Sequence, residues 1–584
     1  MKKFLLNLTI HHWVLMMLVA FLSTGITANA QEEKKDNKKK EENKESAEDS
    51  TSVDSDELSY EKFLKDGEVR KGLFNVYTIE DDYYFEIPDT LMSQDLLIVN
   101  KISSVPYALN GHGLNKGMAF ETKLVRFYKD TVRKKVWAKT INPRVQSPGD
   151  AAITLSVKDN FSESIIEEFD ITTQNTDSTS TVFKVNKIFS GKEKSFSDVL
   201  ANIGLGGSIK TNLSLIEEIK AFPENIVAKS LLTTSVSEGG SAALPLSIGV
   251  TTNIVLLPKK VMKPRFGDQR IGYFSTPMEY FTDAQQEVES RKLITRWRLE
   301  PKEEDIDKYQ QGVLVEPREP IVYYIDPSTP KQWVPFIKQG VLDWNVAFEE
   351  AGFKNAVQVK IPSAEDKDFD IDDVRYSVIT YAASEQQNAM GPSVVDPRSG
   401  EILESDIIWW HNLMKGLHSW IRVQTGVIDA NARANTFSEK HMGEAIRFVS
   451  SHEVGHTFGL KHNMGASYSY PVDSLRSKSF TSRMGGTAPS IMDYARFNYV
   501  AQPEDSVVDI TPKIGVYDKY AIDWGYRWTG AETAHKELPL TNQWIRKHEN
   551  DPLYFYGPQQ MDIVDPRSQS EDLGDNAVKA SEYG

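Results

Sequence analysis

The chain has 584 residues, with 67 Lys and Arg against 83 Asp and Glu, for a formal charge of −16. At about 150 residues per domain the length suggests three or four structural units, its 26 Phe, 23 Tyr and 11 Trp supply a sizeable core, and the acidic balance argues against a nucleic-acid binder. Cysteine is absent, which excludes disulfides, thiolate metal sites, a cysteine nucleophile and a lipidated cysteine, so any metal must be held by His, Asp, Glu or water.

The first thirty residues read as an export signal. Met1-Lys2-Lys3 is basic, Trp13 to Leu22 is uninterrupted and apolar, and Ala28-Asn29-Ala30 is a small-x-small cleavage site. The apolar run is shorter than the about 20 residues that span a bilayer. No later segment is long and apolar enough to span, so no integral membrane span is expected after signal cleavage. The location expected is periplasmic, cell-surface or extracellular. Residues 31–57 read as a disordered tether: 17 of these 27 positions are Lys, Glu or Asp, and none is Ile, Leu or aromatic.

Residues 58–110 read as a small β-rich region and 111–312 as a β-rich domain of open role. Phe74–Ile79 alternates, an Asp81-Asp82 turn follows, and Tyr83–Ile87 runs to Pro88, a hairpin pattern. Further strands are expected at Lys123–Tyr128, Lys135–Ile141, Ile153–Val157, Thr181–Val185 and Thr252–Leu257. Gly204-Leu205-Gly206-Gly207 lacks the Lys-Ser/Thr ending of a phosphate loop and reads as a turn. From 313 to 584 strands alternate with helices, as in an α/β layer. Pro320–Ile325, Val357–Ile361 and Ser377–Tyr381 are strand candidates. Lys331 to Gly352 carries a helical apolar stripe ended by glycine. Asp368, Asp370, Asp372 and Asp373 read as a solvated acidic loop.

The chemistry is concentrated in His452-Glu453-Val454-Gly455-His456-Thr457-Phe458-Gly459-Leu460-Lys461-His462. It ends a helix expected to begin near Glu439 with Ser438 as N-cap. His452 and His456 are i and i+4, so both imidazoles leave one face of that helix. Glu453 lies one position round, free to act as a base. Gly459 lets the chain leave the helix through a left-handed conformation, and His462 can return as a third ligand. Three neutral nitrogens leave a fourth zinc position open for water, which is the pattern of a catalytic rather than a structural site. One zinc ion is the expected cofactor, with Glu453 accepting the water's proton and passing it to the leaving amine.

At these residues the sequence resembles the metzincin clan of zinc endopeptidases. The clan's second hallmark, a methionine in a tight turn beneath the zinc, is matched by Ser490-Ile491-Met492-Asp493-Tyr494. The resemblance implies Met492 as the Met-turn residue, and Tyr494 as a group that swings between zinc and the oxyanion. His462–Ser467, Asn498–Pro503 and Tyr517–Ile522 look like a family of exported bacterial metalloproteases with uncharacterised β-rich domains ahead of a metzincin-type domain. The implied fold is therefore mixed: β-rich N-terminal domains, then an α/β catalytic domain with a mixed twisted sheet, an active-site helix and a Met-turn. Asn463 departs from the Glu, Asp, Ser or Pro of better-known subfamilies, so their substrate preferences do not transfer. Members of the family usually continue past the position of Gly584, which leaves the catalytic domain expected as incomplete or short. By position along the chain, Gly391, Pro392, Ser393 and Val394 begin the expected edge strand that binds an extended peptide, with a turn at Pro397–Gly400 and the next strand at Glu404–Trp410. Protein or peptide is the implied substrate. Two alternatives stay open: an envelope binding protein with an idle metzincin-like domain, and a zinc hydrolase acting on a non-peptide bond.

Overall fold

The computed structural model describes residues 59–584 apart from 237–243, 364, 367 and 563, so the expected export signal and charged tether lie outside the described residues. The fold is mixed, a β-rich N-terminal half followed by an α/β half where the longer helices lie. Among the described residues no helix is long and apolar enough to cross a membrane.

Period-2 alternation in the first half builds one antiparallel sheet of eleven strands. Their spatial order is Glu68–Arg70, Asn75–Ile79, Asp82–Pro88, Ser180–Lys184, Ser164–Gln174, Lys135–Thr140, Ala119–Asp130, Leu96–Ser104, Leu244–Leu256, Asn225–Val236 and Leu215–Ala221. Leu96–Ser104 pairs on both sides with strands from beyond residue 110, so the regions 58–110 and 111–312 share a single sheet. The expected hairpin is the pair Asn75–Ile79 and Asp82–Pro88, turned at Glu80 with φ 54°. The sheet curls until its ends meet. Leu73 N–H donates to Phe222 O and the Arg70 guanidinium to Ile219 O, each at 2.6 Å. Within the curl Phe85, Phe127, Phe169 and Phe183 pack ring against ring.

One expected strand is a helix. Ile153, Leu155 and Val157 alternate, yet Ile153–Asn160 is helical and Leu155 is 73% exposed, so no sheet face claims the pattern. The helix start is held by the Asp283 carboxylate, which accepts from Ala152 and Ile153 N–H at 3.0 and 2.8 Å. That cap comes from distant sequence, which local spacing cannot reveal.

In the second half, Val357–Lys360, Ile321–Ile325, Ser377–Ala382 and Ile407–Trp410 form a parallel sheet with Ala389–Met390 as an antiparallel edge. The helical stripe expected from 331 to 352 is two helices, Val334–Leu342 and Asn345–Glu350. They divide where side chains are drawn toward a third helix, Glu439–Thr457. Trp344 Nε1 donates to Ser451 O at 2.7 Å, and Asp343 takes both nitrogens of the Arg447 fork at 2.7 and 2.8 Å. The crossing is close because Gly340 leaves room: a Cβ there would sit 2.7 Å from Arg447 O.

The two halves meet across the outer face of Leu96–Ser104. Leu97 and Val99 pack with Val374 and Val394. Two residues on, Lys101 is buried and donates to Glu404 at 2.8 Å and Asp406 at 2.7 Å. Burial opposes its charge, but Asp406 and Glu404 outweigh it and hold the ammonium above its ordinary range. The acidic loop is a correction. Asp372 and Asp373 are buried, not solvated, because the strands at 215–236 offer them cations and amides. Lys229 meets Asp370 at 2.7 Å, Asn225 Nδ2 donates to Asp373 at 2.9 Å, and Arg375 pairs with Asp373 over the Phe222 ring.

A third tie joins residues 263–265 to the helix Ala534–Arg546. Arg265 donates Nε and Nη2 to the buried Glu537 at 2.9 and 2.7 Å, and Lys263 adds a contact at 3.0 Å. Burial raises the Glu537 carboxyl, but Arg265, Thr529 and Lys263 outweigh it and pull it down to about 2. Because the folded value lies below the ordinary one, this stability is fully present above about pH 5 and is lost as pH falls toward 2, roughly 3 kcal/mol in all. The difference in urea-unfolding free energy between the parent and Glu537→Gln is therefore expected to shrink across that window. A difference that does not change with pH would refute the assignment.

Candidate metal centre

The helix Glu439–Thr457 starts where Ser438 Oγ accepts His441 N–H at 3.2 Å and carries its apolar stripe through Met442, Ile446 and Val449. Its second half is buried nearly all round, so the last turns enter the core with His452 and His456 on one side. The helix stops at Thr457, and Trp297 Nε1 and Tyr526 Oη take the free carbonyls of Thr457 and Phe458 at 2.8 and 2.9 Å. Gly459 has φ 89°, and a Cβ there would collide with Thr295 O, so both backbone and space require glycine.

The chain after the turn pairs with a segment of the N-terminal half. Phe274 N–H donates to Gly459 O at 2.7 Å and Lys461 N–H to Gly272 O at 2.8 Å. This short pairing aims His462 back at the helix. The Nε2 atoms of His452 and His456 lie 3.3 and 3.0 Å from His462 Nε2. Among the described residues, these three form the group of side chains able to hold a metal ion.

Each imidazole presents its other nitrogen to an acceptor from a different element. Nδ1 of His452 meets Ile491 O at 2.7 Å, Nδ1 of His456 meets Leu460 O at 2.8 Å, and Nδ1 of His462 meets Gln559 Oε1 at 3.0 Å. With Nδ1–H donating, each Nε2 keeps a free lone pair turned inward. Burial lowers all three imidazoles below their ordinary range, His456 to about 3; repulsion from the neighbouring rings adds to this for His452 and His456, and Arg496 does so for His462. Three neutral nitrogens without a thiolate fit one zinc ion with an open position.

The acceptors are themselves held. Asp518 is buried and accepts from Ser490 Oγ at 2.6 Å, Ile491 N–H at 2.7 Å and Gly515 N–H at 2.8 Å. Ile491 thus donates its N–H to Asp518 and offers its carbonyl to His452. Met492 is buried beneath the helix at Gly455, where a Cβ would collide with its Sδ and come within 2.8 Å of Trp344. Asn463 closes the third link: its Nδ2 donates to Phe555 O and its Oδ1 accepts Gly557 N–H, both at 2.9 Å, which places Gln559 against His462. Gln559, Asp518 and the 272–274 segment carry no motif of their own. Asp518 stands in a stretch that resembled the family, but nothing in its spacing disclosed its role.

Glu453 is buried, and no hydrogen bond engages its carboxylate among the described residues. Burial pushes its carboxyl up to about 8, with Arg496 pulling the other way. A divalent cation at the three Nε2 atoms would lower it again. The Tyr494 ring lies 5.5 Å from that of His452 and 4.5 Å from that of His462, between centroids. Burial, then Glu453, pushes its phenol up to about 12, so it is a donor at neutral pH. Arg496 sits over the Tyr494 and Trp420 rings, 4.2 Å from each centroid, and is clamped by Glu571 at 2.8 Å.

The expected edge strand divides. Ala389–Met390 is the antiparallel edge of the sheet, two residues earlier than expected. Gly391 follows it against the site helix, where a Cβ would come 2.9 Å from Thr457 Cγ2 and 3.0 Å from Glu453 O. Pro392 leads away, Ser393 is exposed, and Val394 turns inward to the N-terminal sheet. Ser393–Asp396 pairs with Glu401–Ser405 as a separate hairpin, held there by the apolar contacts of Val394. The strand expected at Glu404–Trp410 begins at Ile407, because Ser405 and Glu404 belong to the hairpin.

Residues 434–584 match a family model described as Met-zincin. Residues 117–302 and 57–105 match two models, each described as a domain of unknown function (DUF5117 and DUF5118). No curated protein and no solved structure gives a significant match.

Replacing Asp518 with Ala frees the Ile491 peptide and is expected to weaken zinc binding about 10- to 100-fold, read by competition with a chromophoric chelator. Ser490→Ala, which keeps the carboxylate, should lose less. Parent affinity in both variants would mean that the Met-turn does not position His452.

Proposed function

We propose that this protein is an exported zinc endopeptidase with Glu453 as general base and acid, a reading supported by the match of residues 434–584 to a family model described as Met-zincin. The observation that carries this reading is the convergence of three neutral imidazole nitrogens beside an unengaged, buried carboxylate on the same helix. His452, His456 and His462 are the proposed ligands. A zinc ion held by their Nε2 atoms supplies a Lewis acid that acidifies water and polarises a peptide carbonyl.

The rest of the chemistry belongs to the chain. Glu453 takes the proton of the attacking water and returns it to the leaving amine. Tyr494, kept protonated, donates to the oxygen on which charge develops, and Arg496 fixes the plane of its ring. The sheet edge at Ala389–Met390 offers main-chain groups to an extended peptide, and Gly391 sets the distance between that edge and the helix. Export agrees with the reading of residues 1–30 as a signal.

The decisive comparison is the parent against Glu453→Gln on a mixed peptide library. Zinc content near one per chain is expected in both, with cleavage lost by a factor of at least 10² in the variant. Full zinc occupancy without cleavage by the parent would favour a binding protein with an idle site. Gly391→Ala is expected to retain zinc while losing activity at least tenfold, since the added methyl must push the edge from Glu453 O. Unchanged turnover there would detach the edge from substrate binding.

A further inference from the structure

Behind the C-terminal end of the site helix lies a cavity of about 310 Å³ with a strongly basic lining. A water's share of volume is about 30 Å³, so there is room for a polyatomic ion with its own waters. Most of the cations around it are matched: Arg265 and Lys263 by Glu537, Arg298 by Glu401, Arg527 by Asp523, Arg318 by Glu300 and Glu303. Arg296 is not. Its side chain lines the cavity and is 6% exposed, and among the described residues no carboxylate pairs with it. Its Nη2 donates to Lys263 O at 3.1 Å, while among the described residues Nε is buried with no partner and Nη1 makes no hydrogen bond. The Nε of Arg298 is buried and unpartnered in the same way, and Lys260 stands at the rim without a carboxylate among the described residues.

A lone buried guanidinium is costly and cannot shed its proton at neutral pH. Burial first, then the neighbouring Arg265, lowers Arg296 only to about 10, with Glu537 acting in the opposite sense. The free Nη1 of Arg296, the Arg298 side chain beside it and Lys260 at the rim bring donors and surplus positive charge to one cavity, which is what a multivalent oxyanion requires. The surplus positive charge left by Arg296 and Lys260 favours a dianion.

We propose that this cavity binds a phosphate-class oxyanion, free or as a monoester, held by Arg296 with Arg298 and Lys260. The site is separate from the imidazole cluster, though the segment that bears Arg296 also bears Trp297, which caps the site helix at Thr457.

The test is calorimetric titration of the zinc-loaded chain with inorganic phosphate at constant ionic strength, in parallel with glycerol phosphate and acetate. One saturable site is expected for phosphate. Glycerol phosphate binding tighter than phosphate would identify a monoester as the natural form, and weaker binding would identify the free ion. Arg296→Gln is expected to weaken binding at least tenfold, and Arg298→Gln to weaken it several-fold. Arg133→Gln, on an exposed turn of the N-terminal sheet, should leave it unchanged. Arg296→Gln removes an uncompensated charge, so it should fold at least as well as the parent in phosphate-free buffer. Its melting temperature should then no longer climb with phosphate, as the parent's should. The proposal is overturned by the absence of saturable binding, by undiminished binding in Arg296→Gln, or by acetate binding as tightly as phosphate. Undiminished binding in that variant would place the ion elsewhere, the imidazole cluster included.

Discussion

Three imidazoles must stay neutral, and each must turn one nitrogen to a common centre. That requirement governs the second half of the molecule. A helix alone can place His452 and His456 on one face, but it cannot decide which nitrogen of each ring carries the proton. The decision is made by Ile491 O, Leu460 O and Gln559 Oε1. Each acceptor is delivered by a different element and each element has its own anchor. Asp518 holds the Met-turn peptide, the strand-like contact with 272–274 holds Leu460, and the two-way amide of Asn463 holds the segment that carries Gln559. The glycines of the motif follow from the same demand, since Gly455 and Gly459 are the points where Met492 and Thr295 come too close for a side chain.

The N-terminal sheet is joined to this frame through buried charge as well as apolar contact. Leu97 and Val99 would accept many registers against Val374 and Val394, but Lys101 accepts only the one that brings Glu404 and Asp406 to its ammonium. The same logic applies to Asp370, Asp372 and Asp373 against Lys229, Asn225 and Arg375. Such groups contribute little net stability when complete and cost several kcal/mol when one member is missing. They select an arrangement more than they strengthen it.

Local pattern disclosed what local physics decides. The hairpin at 75–88, the parallel strands at 321–325 and 377–382, the cap at Ser438 and the left-handed Gly459 were all legible, because alternation, capping oxygen and glycine each act within a few residues. The three imidazoles and Glu453 were legible as a spaced motif, and the structure gathers them at one place. What escaped was set by distant partners. Ile153–Asn160 alternates like a strand but is capped by Asp283, and the acidic run at 368–373 looks solvated until the cations of another sheet are placed against it. The helix expected from 331 to 352 breaks where Trp344 and Asp343 are pulled by Ser451 and Arg447. The edge strand shifted by two residues because Val394 finds its apolar contacts in the other half.

The acceptors around the imidazoles also impose an order in time. Synthesis runs from the N-terminus, so the segment 272–274 is made long before the turn at 459–461 that it pairs with. Gln559 follows His462 by 97 residues. A nascent chain that has exposed the whole histidine motif therefore still lacks the group that orients its third ring. The centre is therefore completed late, only once the segment that carries Gln559 has followed the histidine motif.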